Sequence, residues 1–429
     1  MKRCLLPGLL LALFLPGHSA SAQTVKPDPA LEIYASTDHS VTLADGRHIH
    51  IVCEGQGWPT IILTAGLADW SVVWNQVQPE LARHTRTCAW DRAGFGLSDP
   101  SAMPQTIDTT TIDLEQALVR GGIDGPYVMV GHSLGGYESM LFADRHPAEI
   151  KGMILVDPSI PDQPTRFAAA APALYAFGDR AGLQWSRSRR RCGAELRRGS
   201  LKPGAPDPDN CLMYPPELPP SLVAALQRLD TDPARFETQA SLMEGFTRDG
   251  SLIVDPKRDY GQMPLIILTA TDLPPFAPDT PEAVRADAPA MLAELARGHE
   301  NIAALSARGV DRGVAGTNHY IQLMKPETVV AAILAVVGEV RGGALQVGEP
   351  ATAPPADHAA TQTPAQTHCD PSQGDIIVCG ARTDEQYRLR PLPPLATKPN
   401  FLMQPHAINL IPGLRIGFLG GGFGLMFEF

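Results

Sequence analysis

The chain has 429 residues and a formal net charge of −11. Its length is enough to bury a large core and exceeds that of one minimal domain. The acidic balance argues against nucleic acid as a partner. The sequence contains no metal-ligand spacing, phosphate-binding loop or dinucleotide fingerprint, so no cofactor is expected.

The N-terminal residues have the pattern of a secretory signal peptide. Lys2-Arg3 precedes an apolar run, Leu5–Leu15, and Ala20-Ser21-Ala22 provides small residues for cleavage before Gln23. The run is too short to remain as a membrane-spanning helix. We therefore expect residues 1–22 to be removed and the mature protein to be exported, to the periplasm or the extracellular space. The alternative is a buried N-terminal helix.

The cysteine count agrees with export. Seven cysteines are encoded, and loss of Cys4 with the signal peptide leaves six. An even number in an exported chain indicates disulfides. Proximity in sequence predicts two pairs: Cys192–Cys211 and Cys369–Cys379. Two cysteines then remain, in separate predicted strands: Cys53 and Cys88. The alternative is six buried free thiols.

Short apolar runs alternate with helical patterns, which predicts a mostly parallel sheet covered by helices. The predicted strands are His48–Cys53, Thr60–Thr64, Arg86–Trp90, Tyr127–Val130, Gly152–Val156, Leu265–Thr269 and Arg308–Val314. Residues 158–263 are rich in proline and arginine and lack this alternation, which indicates an inserted cap. The core is therefore expected in two parts, 23–157 and 264–341.

The composition changes again near Gly342, to proline, alanine, threonine and glutamine, which is typical of a linker. The last residues, Gly413–Phe429, alternate apolar and small residues around three glycines and predict a β-hairpin. We expect residues 342–429 to form a Pro-rich linker and a disulfide and hairpin tail. The alternatives for the hairpin are docking on the domain that precedes the linker or on a partner, disorder, and a weak envelope contact.

The segment Gly131-His132-Ser133-Leu134-Gly135 follows the apolar run Tyr127–Val130 and precedes a helical pattern. A strand that runs into G-x-S-x-G and then a helix is a nucleophile elbow, whose glycines allow a strained turn that exposes the serine hydroxyl. The N–H groups that begin the helix point toward the oxygen that becomes negative in acyl transfer. Ser133 is the predicted nucleophile.

A serine hydroxyl needs a base that removes its proton. His319 lies in the loop Gly316–Ile321, after the last predicted strand and before a helical pattern that begins at Pro326. This position makes His319 the predicted base. We expect His132 to pack or to tune the pocket, because its side chain leaves the elbow in another direction.

These motifs resemble the α/β-hydrolase superfamily, in its esterase-like branch, over residues 41–337 apart from the cap. The resemblance also rests on Ala65–Asp69, on Asp91–Asp99, which is similar to the family's D-R-x-G-x-G-x-S segment, and on His319–Glu327. The expected fold class is therefore α/β: a mostly parallel eight-stranded α/β-hydrolase sheet with helices on both faces, an inserted cap and a C-terminal tail.

The resemblance implies further roles. The family's usual His-Gly after the third strand is Ala65-Gly66 here, but the backbone N–H of Leu67 can serve as an oxyanion donor beside that of Leu134, since neither needs a side chain. In this fold the second and fourth strands are neighbours, counting one extra short N-terminal strand. That topology brings Cys53 near Cys88, within disulfide distance.

The acid that orients His319 follows either the sixth or the seventh strand in this family. Asp157 ends the first of these, and Asp272 follows the second. Either carboxylate could accept a hydrogen bond from the imidazole. The Pro-rich loop after Asp272 departs from the family pattern, so we favour Asp157 and keep Asp272 as the alternative.

The expected function is an exported serine hydrolase that cleaves a carboxylic ester of a small molecule through an acyl-enzyme. A peptidase, a lactonase or a thioesterase would use the same triad. A non-catalytic envelope or binding protein on the same fold is the alternative from another class. Serine at the elbow argues against epoxide hydrolases and haloalkane dehalogenases, whose elbows carry aspartate.

Overall fold

The structure is a computed structural model that describes residues 26–202 and 207–342, and the backbone of three tail strands within residues 407–426. The predicted signal peptide and the predicted pair Cys369–Cys379 lie outside the described residues. None of the helices in the described ranges is long and apolar enough to cross a membrane.

The main sheet contains eight strands. They are β1 (Ser40–Thr42), β2 (His48–Glu54), β3 (Thr60–Thr64), β4 (Thr87–Trp90), β5 (Tyr127–His132), β6 (Ile150–Val156), β7 (Leu265–Ala270) and β8 (Gly309–Val314). All seven predicted strands are present with small shifts at their ends. β1 is the extra short N-terminal strand that the family resemblance implied, and no apolar run predicted it, because it is three residues long and largely solvent-exposed.

Helices connect and cover these strands. The α-helices are α1 (Gln78–Ala82), α2 (Ile107–Arg120), α3 (Leu134–Arg145), α4 (Gln163–Ala170), α5 (Pro172–Arg198), α6 (Pro220–Leu229), α7 (Pro233–Leu252), α8 (Glu282–Ala286), α9 (Ala288–Ala303), α10 (Ile321–Met324) and α11 (Pro326–Val340). Three 3-10 helices span Pro29–Ala35, Thr37–His39 and Ser71–Trp74.

The strand order is β1-β2-β4-β3-β5-β6-β7-β8. The first two pairings, β1 with β2 and β2 with β4, are antiparallel. Every pairing from β4 to β8 is parallel. The predicted fold class, a mostly parallel eight-stranded sheet with helices, is therefore confirmed.

Apolar residues face both sides of the central strands, as expected for parallel strands buried between helices. On β5, Met129 packs in one hydrophobic cluster with side chains of α2, α3 and α9. Its neighbours Val128 and Val130 pack in a second cluster with side chains of α1 and α11. The alternation of side chains along a strand thus divides the core into two layers, with helices on both faces of the sheet.

Four helices, α4 to α7, lie between β6 and β7, and the described part of this segment contains no strand. Ion pairs connect α5 and α7: the Arg190 guanidinium contacts Glu237 and Glu244. This helical stretch occupies residues 158–263, the segment predicted to be a cap. Its treatment as a separate domain stays a prediction.

Two disulfides are present in the described ranges. Cys53 and Cys88 are directly opposite each other on β2 and β4, with their Cα atoms 4.0 Å apart. Cys192 on α5 is bonded to Cys211, with a Cα separation of 5.6 Å.

The described tail strands form an antiparallel sheet of their own, in the order β11-β10-β9. They span Ala407–Ile411 (β9), Leu414–Leu419 (β10) and Gly422–Met426 (β11). The last two pair as a hairpin, with Phe418 opposite Phe423. The sequence analysis did not predict β9, which precedes the alternating segment.

The packing of α3 against β3 leaves no space for a side chain at Gly135. A Cβ atom there would lie 2.4 Å from the Thr64 carbonyl oxygen, which belongs to rigid backbone. We predict that Gly135→Ala lowers the free energy of unfolding by about 1–3 kcal/mol, the range typical of overpacked sites. Urea denaturation measures this change.

Gly338→Ala on α11 is the matched control, since a Cβ atom there meets nothing within 4 Å. Alanine favours a helix interior over glycine by about 1 kcal/mol, so this variant should be as stable as the wild type or more stable. Equal stability of the two variants would contradict the close approach of α3 to β3.

Candidate active site

The elbow serine occupies a strained backbone conformation. β5 ends at His132 and α3 begins at Leu134, so Ser133 alone makes the turn, at φ 52° and ψ −120°. This positive φ is unfavourable for a residue with a side chain, and such strain is common at functional sites. A Cβ atom on Gly131 would lie 2.3 Å from the carbonyl oxygen of Gly135, so the tight turn excludes a side chain there.

The carboxylate of Asp157 is adjacent to the elbow and is paired with His319. β5 and β6 are parallel with His132 opposite Val156, so Asp157 follows β6 at the same edge at which Ser133 follows β5. One oxygen, Oδ2, lies 2.6 Å from Nδ1 of His319. The other, Oδ1, accepts from the backbone N–H of Ala270 at 2.9 Å. Both oxygens are thus held in place.

Burial acts to raise the pKa of Asp157, but the hydrogen bond and charge of His319 outweigh it, with further help from His299 and the Ala270 amide. The net pKa is below its usual value, so this carboxylate is ionised near neutral pH. It accepts a hydrogen bond from the N–H at His319 Nδ1 and leaves Nε2 as the ring nitrogen that can take a proton from a nucleophile.

The alternative acid, Asp272, has an exposed side chain. Its backbone N–H donates to the carbonyl oxygen of Thr317 at 3.0 Å, in the loop that carries His319. The structure therefore brings the backbone of Asp272 to this loop, whereas the carboxylate paired with the histidine ring is that of Asp157.

Ser133 is 9% exposed. Within the described ranges, no hydrogen bond joins its hydroxyl to His319. Such bonds are often long without substrate and tighten when substrate binds. The ring of His132, the residue before the serine, has its centroid 4.6 Å from that of His319, so the two segments are in contact.

The two predicted oxyanion donors lie at this same edge. Leu134 is the first residue of α3, so its N–H has no acceptor within the helix. Leu67 is half-buried and follows β3, which pairs with β5 in parallel with Thr64 opposite Gly131. The loop after β3 therefore passes beside the elbow.

His132 is completely buried. Burial lowers the pKa of its ring well below the usual value, and the charge of His319 acts in the same direction. The Nε2 atom lies 2.9 Å from the backbone carbonyl oxygen of His319. Since a carbonyl can only accept, Nε2 is assigned the proton of the neutral ring. His132 thus helps to hold the backbone of His319.

The buried ion pair of Arg92 with Glu138 was not predicted from the sequence. Arg92 donates through Nε and Nη2 to the two carboxylate oxygens of Glu138, each at 2.6 Å. The two residues are 2% and 0% exposed. Arg92 belongs to the quoted Asp91–Asp99 segment, and Glu138 is a charge on the buried face of α3. A charged residue among buried helix positions is the sequence signal that could have identified it.

Asp69 is a second buried acid beside the site, and it is 1% exposed. Burial raises its pKa to about 7, while the charges of His319 and Arg92 and the Tyr320 hydroxyl act to lower it. Asp69 lies in the Ala65–Asp69 motif, and the sequence predicted no role of its own for it. In the described ranges, no group of three or more His, Cys, Asp and Glu side chains could hold a metal ion.

Part of the chain matches a known protein family. Residues 59–187 match the family model described as alpha/beta hydrolase fold. That match includes the elbow, Asp157 and the Arg92–Glu138 pair.

Among curated proteins, the lipase LipV of Mycobacterium tuberculosis is 31% identical over 147 residues, 34% of this chain and 55% of the lipase. The cis-3-alkyl-4-alkyloxetan-2-one decarboxylase of Xanthomonas campestris is 26% identical over 192 residues, 40% of this chain and 64% of that enzyme. The chain thus spans less than two thirds of these relatives.

Among solved structures, a thermophilic esterase from Thermogutta terrifontis is 20% identical with a TM-score of 0.44. The alignment covers 70% of this chain and 98% of the esterase.

The raised pKa of Asp69 predicts a pH-dependent stability. The folded protein binds more protons at this carboxyl than the unfolded chain between about pH 4 and 7. Stability from Asp69 is therefore present at low pH and is lost as the pH rises through 7. Asp69→Asn removes this ionisation. The stability of the variant relative to wild type should therefore rise between pH 5 and pH 8, by roughly 3 kcal/mol.

Urea unfolding of both proteins at several pH values measures the difference. Asp279→Asn, at an exposed aspartate, is the matched control. A difference between Asp69→Asn and wild type that stays constant from pH 5 to pH 8 would contradict the buried, proton-binding carboxyl.

Proposed function

This chain is a member of the α/β-hydrolase superfamily, and from that premise we propose that it is an exported serine hydrolase that cleaves a carboxylic ester. The observation that carries the proposal is the 2.6 Å contact of His319 Nδ1 with Asp157, beside a serine held in the strained turn of the elbow. An oriented histidine next to a serine at the end of a strand is the arrangement that acyl transfer requires.

In the proposed reaction, Ser133 Oγ attacks the ester carbonyl while His319 Nε2 takes the hydroxyl proton. The amides of Leu67 and Leu134 stabilise the oxyanion of the tetrahedral intermediate. His319 then gives the proton to the departing alcohol, and an acyl-enzyme remains. Water, deprotonated by the same histidine, attacks the acyl-enzyme. The bond between the acyl carbon and Ser133 Oγ breaks, the histidine returns the proton to Oγ, and the acid is released. Asp157 holds the imidazole and stabilises its charged form.

The type of bond is proposed from the nucleophile and from one relative. Serine at the elbow favours acyl transfer over epoxide or haloalkane chemistry, which uses aspartate at this position. The relative from Mycobacterium tuberculosis is named a lipase, which supports an ester. A peptidase, a lactonase or a thioesterase would use the same triad, so the assay includes lactones and aminoacyl amides beside esters.

Export is proposed from two features of the chain. The described residues contain two disulfides, which persist in oxidising compartments. The N-terminal sequence has the three parts of a signal peptide. The proposed location is the periplasm or the extracellular space, and an envelope contact through the tail stays open.

We predict that Ser133→Ala lowers kcat on the best p-nitrophenyl ester by about 10⁶, since the variant has no nucleophile. A fluorophosphonate probe should label the wild type and leave the variant unlabelled. The assay uses p-nitrophenyl esters of graded chain length, lactones and aminoacyl amides. Turnover by the variant within tenfold of wild type would refute the assignment.

The acid can be assigned with a matched pair of substitutions. Asp157→Asn should lower kcat by about 10⁴, because an amide does not stabilise the correct imidazole tautomer or its charge. Asp272→Asn should leave kcat within about threefold, since that side chain is exposed. The reverse order of the two effects would transfer the role to Asp272.

A further inference from the structure

The guanidinium of Arg92 makes hydrogen bonds in two directions. Besides Glu138, it donates to two backbone carbonyls of the loop after β3: Nη2 to Ala65 at 2.5 Å and Nη1 to Gly66 at 2.8 Å. Arg92 is therefore a bridge between helix α3 and the loop that carries Leu67. The planar fork of an arginine suits such a bridge, and a lysine has no equivalent geometry.

The contact with Gly66 acts directly on Leu67. The Gly66 carbonyl and the Leu67 N–H belong to one peptide group, and in a planar trans peptide these two bonds point in opposite directions. Fixing the carbonyl toward Arg92 therefore fixes the direction of the N–H. Donation from a cation to the carbonyl also polarises the peptide and strengthens the N–H as a donor.

Glu138 neutralises the charge of Arg92 in the interior of the protein. An unpaired guanidinium at 2% exposure would have a large desolvation cost, and the bidentate carboxylate offsets it. Glu138 also lies one helical turn after Leu134 on α3. The same ion pair thus connects the segments that carry both predicted oxyanion donors.

We propose that Arg92 and Glu138 are positioning residues of the oxyanion hole, which hold the Gly66–Leu67 peptide with its N–H directed at the substrate carbonyl oxygen. Neither side chain touches the substrate. The inference rests on the proposed ester hydrolysis, and it adds to that reaction a requirement for one buried ion pair.

The kinetic test is Arg92→Lys, which keeps a positive charge near Glu138 but loses the fork. Loss of one oxyanion donor costs about 10²–10³ in kcat, and a misdirected donor should cost roughly 10- to 100-fold. KM should stay within about twofold. The affinity of a trifluoromethyl ketone, which forms an oxyanion adduct with the serine, should fall by the same factor as kcat.

The matched control is Arg258→Lys. The side chain of Arg258 is 4% exposed, pairs with Asp144 at 2.6 Å and donates to the Ile253 carbonyl at 2.6 Å. Asp144 lies near the far end of α3, ten residues after Leu134 and about 15 Å away along the helix. This variant should lose stability, while kcat and inhibitor affinity both stay within about twofold of wild type.

A second variant covers the case in which Arg92→Lys does not fold. Arg92→Met with Glu138→Leu removes both charges, a change that buried ion pairs often tolerate or gain from in stability. It removes the Arg92 donor from the Ala65 and Gly66 carbonyls and leaves Gly66 only the longer bond from the Asp69 N–H, at 3.3 Å. The same loss of kcat and inhibitor affinity is therefore expected. A folded variant with both values within twofold of wild type would overturn the proposal.

A measurement that does not depend on enzyme activity separates this proposal from the proposed function. The amide signal of Leu67 in ¹⁵N-leucine-labelled protein, assigned by its loss in Leu67→Met, should shift in the Arg92 variants and not in Arg258→Lys. If wild-type protein hydrolyses no ester, the proposed function fails and this shift still tests the positioning. An unshifted Leu67 amide in a folded Arg92 variant refutes it.

Discussion

The site depends on the parallel pairing of β3, β5 and β6. Parallel strands end at the same edge of the sheet, so the residues that follow them meet there. Leu67, Ser133 and Asp157 each follow one of these strands, and the strand register places Thr64 beside Gly131 and His132 beside Val156. His319 reaches the same edge from the loop after β8. A shift of one residue in this register would turn each following side chain toward the opposite face.

Close packing at the elbow makes this edge rigid. Ser133 stays at a positive φ because α3 lies directly against the end of β3, with no space for a Cβ atom at Gly135. Backbone strain of this kind persists only where the surrounding structure over-determines it. The apolar layers on both sides of the sheet supply that constraint, and the strained turn in turn presents the serine hydroxyl.

Buried charges surround the site and are matched to one another. Arg92 pairs with Glu138, and Asp157 pairs with His319. Burial raises the pKa of a third buried group, Asp69, to about 7. In a low-dielectric interior a paired charge orients its partner strongly, while an unpaired one binds a proton instead. The ionised Asp157 and the proton-binding Asp69 therefore differ because Asp157 has the His319 ring and the Ala270 amide directly at its oxygens. At Asp69, burial outweighs the groups that act to lower its pKa.

The amino-acid sequence by itself determined the sheet and the elbow. Apolar runs of strand length, the glycines around Ser133 and the loop position of His319 are local patterns, and local patterns reflect local backbone requirements. The sequence also separated a helical insertion from the strands. Only the family resemblance implied β1, because this strand is too short and exposed to form an apolar run. What it left open was the carboxylate, because Asp157 and Asp272 both follow strands that end at this edge.

Only the tertiary structure decided which carboxylate meets His319 and which charges pair beneath the loop after β3. Asp157 and His319 are 162 residues apart in sequence, and Arg92 and Glu138 are 46 apart. No local pattern encodes such pairs. They follow from the pairing of β5 with β6 and from the packing of α3 against β3. The neighbouring strands and helices set the direction of each side chain at a strand end.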